Sequence, residues 1–172
     1  MSTDNKTISE LREKINDLNW LEDRMRIFYE RYPVFENSDC DIQFDKESNS
    51  YKFKLAEYKF DIYEDCLFNG YIVIYLKEVR EYLLDKYQWD SYGDVIDLLK
   101  TIILHEYRHY LQADKLNELN MLYVLDTKWI QELLEEDANT YSEGFVYKGK
   151  ELDLTSLITK ILVEDKVDLS FC

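Results

Sequence analysis

A chain of 172 residues with 46% hydrophobic and 15% aromatic side chains has material for one buried core, and its length suits a single domain over residues 1-172. Its 36 acidic against 21 basic residues give a formal net charge of -15, which opposes direct binding to nucleic-acid backbones and to anionic membrane surfaces. Cys40, Cys66 and Cys172 are odd in number and in no C-x-x-C pair, which argues against a disulfide framework or a cysteine-built metal knuckle and fits a reducing compartment.

The opening "MSTDNKTISE" has no basic segment followed by an apolar one, and no run approaches the roughly 18 apolar residues of a membrane span. A soluble cytoplasmic protein is therefore expected. From Ser9 to Tyr29, apolar residues recur at Leu11, Ile15, Leu18, Leu21, Met25 and Phe28, which predicts one long amphipathic helix ending near Pro33. The period then changes to alternation at Ile42 and Phe44, at Tyr51, Phe53 and Leu55, and at Phe60 and Ile62, predicting three short antiparallel strands. A turn at Asn69 and Gly70 leads into the unbroken run Tyr71 to Leu76, a fourth strand covered on both faces. Phe53, Phe60 and Tyr71 are expected in the core, with Cys40 and Cys66 as small hydrophobes.

Helical spacing returns at Lys77 and runs through Trp89. "SYGD" then offers Ser91 as an N-cap for a second helix carrying Val95, Leu98, Leu99, Ile102 and Ile103. A further helix is predicted from about Thr127 to Glu143, stopped by Gly144, and a last amphipathic segment from Leu152 to Val163. There is no internal repeat or low-complexity tract. The expected class is α+β: an N-terminal helix, a small mostly antiparallel sheet and a set of packed helices.

Both histidines of the chain lie in "TIILHEYRHYLQ", four residues apart. Leu98, Ile102, His105, His109 and Gln112 follow helical steps of four, three, four and three, so the imidazoles continue the inward stripe. Two imidazoles at that spacing reach one Zn²⁺ at about 2.0 to 2.1 Å each, and Glu106 stands where it takes a proton from a water activated by the metal. Arg108 and Tyr107 fall off this face and are expected to be structural. A third ligand is sought on a later helix, and "IQELLEEDANTYSEGF" places Glu135, Ala138 and Asn139 on one face.

"HEYRH" followed by "EEDANTYS" resembles the gluzincin clan of zinc metallopeptidases, whose second helix reads E-x-x-A-[DN], and among them the small ImmA/IrrE-like and related phage or mobile-element zincins. The resemblance implies a zincin-like domain with one Zn²⁺ per chain held by His105, His109 and Glu135. It also implies Glu106 as general base, Ala138 as the small residue between the two helices, and Asn139 as a residue orienting an imidazole. Gln112 lies near the site, and Tyr141 and Tyr147 are candidates for stabilising an oxyanion, since no third histidine exists. By the same analogy the strand "YIVIY" runs along the cleft beside an extended substrate.

The implied activity is hydrolysis of a peptide bond in a cytoplasmic protein, with a protein or peptide as substrate and no nucleic-acid or membrane partner. Neither the substrate nor the oligomeric state is legible. Glu132 is the substitute ligand if the helix is rotated, and Mn²⁺ or Fe²⁺ is the alternative metal. The competing function is an acidic phage-type inhibitor, or a protein-binding module, on a catalytically inactive zincin scaffold.

Overall fold

Two helices open the chain where the apolar stripe predicts one: α1 spans Ser2–Ile15 and α2 spans Leu18–Arg31. Asp17 breaks them, because its backbone is extended and its carboxylate accepts from the Asn19 N–H at 3.0 Å, capping α2. The stripe crosses the break intact, with Leu11, Ile15, Leu21 and Met25 all buried. This computed structural model describes residues 2–49, 51–148 and 154–169, with side chains described for 7–49, 51–144 and 154–163.

The sheet has three strands, β1 (Asp41–Asp45), β2 (Ala56–Tyr63) and β3 (Cys66–Tyr75), in the order β1-β3-β2. It is mixed: β2 pairs antiparallel with β3, whereas β1 runs parallel to β3 from Asp41 beside Tyr71 to Asp45 beside Tyr75. The segment Tyr51 to Leu55 is not a strand, and Tyr51 and Phe53 are exposed. The hairpin turn lies at Glu64 and Asp65, both at positive φ, and not at Asn69 and Gly70. Those two residues sit inside β3 at a register shift, where a Cβ on Gly70 would overlap the Tyr58 hydroxyl. Cys66 is accordingly exposed at the hairpin, while Cys40 is buried.

Ile72, Val73, Ile74 and Tyr75 are buried, as their unbroken apolar run requires. Their strand is the central one, bonded on both sides, so the expectation that "YIVIY" lines a substrate cleft is overturned by the topology. Among the described residues no strand pairs with the outer edge of β2.

A short helix α3 (Leu76–Glu81) passes into one π-helical turn, Tyr82–Lys86, and ends before Trp89, whose indole N–H donates to the Leu83 carbonyl at 2.7 Å. Ser91 then caps α4 (Tyr92–Glu118), accepting from the Asp94 N–H at 3.2 Å. A 3₁₀ turn at Leu122–Asp126 leads into α5 (Lys128–Lys148), which runs through Gly144, and α6 (Thr155–Leu169) closes the described chain. Leu152, the predicted start of that last helix, lies outside the described residues.

α4 joins two apolar clusters. Its first half buries Val95, Leu99 and Ile103 against α2, α3 and β3. Its last turns bury Leu116 with Ile130 and Leu134 of α5 and Leu157 and Ile161 of α6. The class is α+β, and no described helix is long and apolar enough to cross a membrane.

Candidate metal centre

The site grows from the antiparallel contact of α4 and α5. Arg108, 1% exposed, turns toward α5, and its Nε donates to Asp137 Oδ2 at 2.7 Å while Nη2 donates to Oδ1 at 3.3 Å. A guanidinium and a carboxylate meeting through two bonds fix both the spacing and the register of the helices. Ala138, fully buried beside Asp137, lets the helices approach.

In that register Glu135 comes opposite both histidines. His105 Nε2 lies 2.8 Å from Glu135 Oε1, His109 Nε2 lies 3.1 Å from Oε2, and the two Nε2 atoms are 3.2 Å apart. Ligand atoms held tetrahedrally at about 2.0 to 2.1 Å from one Zn²⁺ stand roughly 3.3 Å from each other. Small outward movements of the Glu135 carboxylate would bring the set to that spacing. Glu132, the substitute ligand, is exposed and outside this cluster.

The hydrogen bonds behind His109 set its tautomer. Gln112, 1% exposed, donates from Nε2 to the Leu134 carbonyl at 2.9 Å and to Asp137 Oδ2 at 2.7 Å. Its Oε1 therefore faces His109 Nδ1, at 2.9 Å, and an amide oxygen there accepts only from a protonated Nδ1. A neutral His109 so fixed presents a lone pair at Nε2. That lone pair, the second imidazole and a carboxylate then converge on one point, an arrangement that calls for a cation, either a proton or a metal ion.

Charge in the site follows from this crowding. Burial pushes the His109 imidazole down, yet its contact with Glu135, helped by the nearby Glu106 charge and Gln112, outweighs burial and holds it above the ordinary histidine value. Hydrogen bonds from His105 and His109 hold Glu135 well below the usual carboxylate range, although its side chain is 58% exposed and solvent screens the interaction. Burial raises the Glu106 carboxyl, with the two imidazoles pulling the other way. Glu106 Oε1 lies 3.9 Å from His105 Nε2, and the Tyr58 backbone N–H of β2 faces its carboxylate.

The remaining predicted residues divide. Asn139 lines the cleft with His105 and Glu106 and, among the described residues, makes no hydrogen bond to an imidazole; that orienting role belongs to Gln112. Tyr141 is fully buried in the core with its ring centroid 4.6 Å from the Arg108 guanidinium, so it is not placed to meet an oxyanion in the cleft. The Tyr147 side chain lies outside those described. Tyr107 is structural, its hydroxyl donating to the Val34 carbonyl at 3.3 Å.

Two cavities open beside the cluster. One of about 330 Å³ is lined by Ala56, Tyr82, Leu98, His105, Glu106 and Asn139. The other, about 250 Å³, is lined by Tyr58, Phe60, His109, Gln112, Leu125 and Glu135. β2 contributes to both through Ala56, Tyr58 and Phe60, and Tyr82 lines the first from the turn after α3; periodicity assigned Phe60 to the core and left Tyr58 and Tyr82 unremarked. The π-helical turn that begins at Tyr82, a distortion frequent at functional sites, carried no mark in the sequence. Comparison with family models, curated proteins and solved structures finds no match to this chain.

Proposed function

We propose that the chain is a zinc-dependent metallopeptidase using His105, His109 and Glu135 as ligands and Glu106 as general base. The observation that carries this reading is the convergence of three acceptor groups on one point, with the His109 tautomer set by Gln112. Zn²⁺ in that position supplies Lewis-acid activation of a water and of a substrate carbonyl.

The protein's own groups then have defined tasks. Glu106 is buried and raised, which suits a carboxylate that takes a proton from the attacking water and passes it to the leaving amine. The outer edge of β2 offers backbone donors and acceptors to an extended peptide, and the cavities on either side of the cluster receive side chains on both sides of the scissile bond.

The test is a peptide library digested by the zinc-loaded chain and by Glu106→Gln, with new N-termini identified and zinc content measured for both. Cleavage by the parent and a loss of about a hundredfold or more in the variant, at equal zinc content, supports the reading. Equal cleavage by both, or no zinc bound after loading, would sink it. Zinc binding without cleavage of any peptide turns the reading toward a binding module on the same scaffold.

A further inference from the structure

A second group of side chains sits across α4 from the metal centre. Lys100 precedes His105 by five residues, which places the two roughly 140° apart around the helix. Arg24 and Arg31 of α2, with Lys100, surround an open pocket of about 270 Å³ whose aromatic walls are Phe28, Tyr32 and Tyr92. None of the six lines either cavity beside the histidines.

The charge of this pocket needs an account. Acidic residues outnumber basic ones 36 to 21, yet among the described residues Arg24, Arg31 and Lys100 have no carboxylate partner. Arg24 Nε is buried with no hydrogen-bond acceptor. The cations rest on rings instead: the Arg24 guanidinium is 6.0 Å from the Trp20 ring centroid and Lys100 Nζ is 5.5 Å from that of Phe28. Three like charges around one small opening repel each other, and an anion in the opening relieves that repulsion.

The walls limit what that anion is. Phe28 and Tyr32 pack with centroids 4.8 Å apart, and Tyr92, 49% exposed, stands edge-on to Trp20 at 6.3 Å. These faces accept a flat ring. A bare, well-hydrated anion gains nothing from them and is repelled at long range by the -15 charge of the chain. Two guanidiniums match the oxygens of a phosphate, and the ammonium adds a third charge suited to a dianion.

We propose that this pocket binds a small phosphomonoester carrying an aromatic ring, the chemical class of the nucleoside monophosphates. The proposal is independent of the metallopeptidase reading, because no residue is shared.

Isothermal titration of the purified full chain with AMP, GMP, CMP and UMP, beside inorganic phosphate, adenosine and an oligoglutamate peptide, tests it. Saturable binding of at least one monophosphate is expected, with phosphate and adenosine weaker by about tenfold or more. Arg31→Ala and Lys100→Met, which lie on exposed or half-buried positions, should each weaken that binding by about tenfold or more while retaining the parent's zinc content and melting temperature. The proposal is overturned by no saturable binding up to about 5 mM, by phosphate alone binding equally well, or by both variants binding like the parent. Saturation by oligoglutamate with none by any monophosphate overturns it in favour of an acidic protein partner.

Discussion

Gln112 holds the tautomer of His109, so its removal should weaken the proposed zinc binding without touching a proposed ligand. Gln112→Ala is expected to weaken zinc binding about 10- to 100-fold in a competition titration with a chromogenic chelator. Unchanged affinity would mean that the Nδ1 contact at 2.9 Å does not set the imidazole. The same residue predicts a pH dependence. Zinc bound as proposed would displace a proton from His109, whose value Glu135 and its other neighbours hold above the ordinary one despite burial. Affinity should therefore level off at high pH and fall by about tenfold per unit and per displaced proton as pH drops through that raised value, starting at a higher pH than a solvent-exposed histidine would give. Titrations between about pH 5 and 9 check this; a flat profile contradicts it. That His105 and His109 share one helix face, with Glu106 beside them, was legible in the sequence, since an i, i+4 pair needs only local helical geometry. Gln112 was read as near the site, but its partners, Leu134 and Asp137, lie on a different helix and no local period predicts which amide atom faces which group.

At the level of elements, the α4 and α5 pair depends on Arg108 and Asp137. Arg108→Met leaves the Asp137 carboxylate partly buried without its cation, and should cost about 3–5 kcal/mol in urea-induced unfolding. Lys115→Met, which removes a surface pair with Glu118 at 3.6 Å, should cost about 1 kcal/mol or less under the same conditions. Equal costs would show that the buried pair does not fix the helix register. The limits of reading by period are visible among the elements themselves. The stripe from Leu11 to Met25 concealed the break at Asp17, because the apolar face is continuous across it. The start of β3 was placed too late because its hairpin turns on Glu64 and Asp65, residues that carry no glycine signal, while the Asn69–Gly70 pair marks a bulge. Ser91 and the buried run Ile72 to Tyr75 were read correctly, since capping and unbroken apolar composition are local properties.

For the molecule as a whole, the proposed ligand set is shared between α4 and α5, so metal binding there would be coupled to stability. With free zinc at about a hundred times its Kd, binding adds about 2.7 kcal/mol, so chelation should lower the melting temperature by about 5–10 °C. His109→Ala should melt at the same temperature with and without chelator. A parent chain indifferent to chelation would oppose a bound metal. The sign of the net charge was legible from composition, but its distribution was not: Arg24, Arg31 and Lys100 come together only when α2 packs on α4.

The parallel pairing of β1 with β3 has a consequence for how the chain reaches this state. The hairpin of β2 and β3 closes over two residues, and the α4–α5 contact forms across a short connection, so both can nucleate early. β1 must close a loop that contains all of β2 before its first ladder bond to β3 forms, and the entropy of that closure precedes any gain. Docking of β1 is therefore a late event on the folding path. Substitutions that weaken β1 should accelerate unfolding and leave the refolding arm of the chevron nearly unchanged, whereas those in the β2–β3 hairpin should slow refolding.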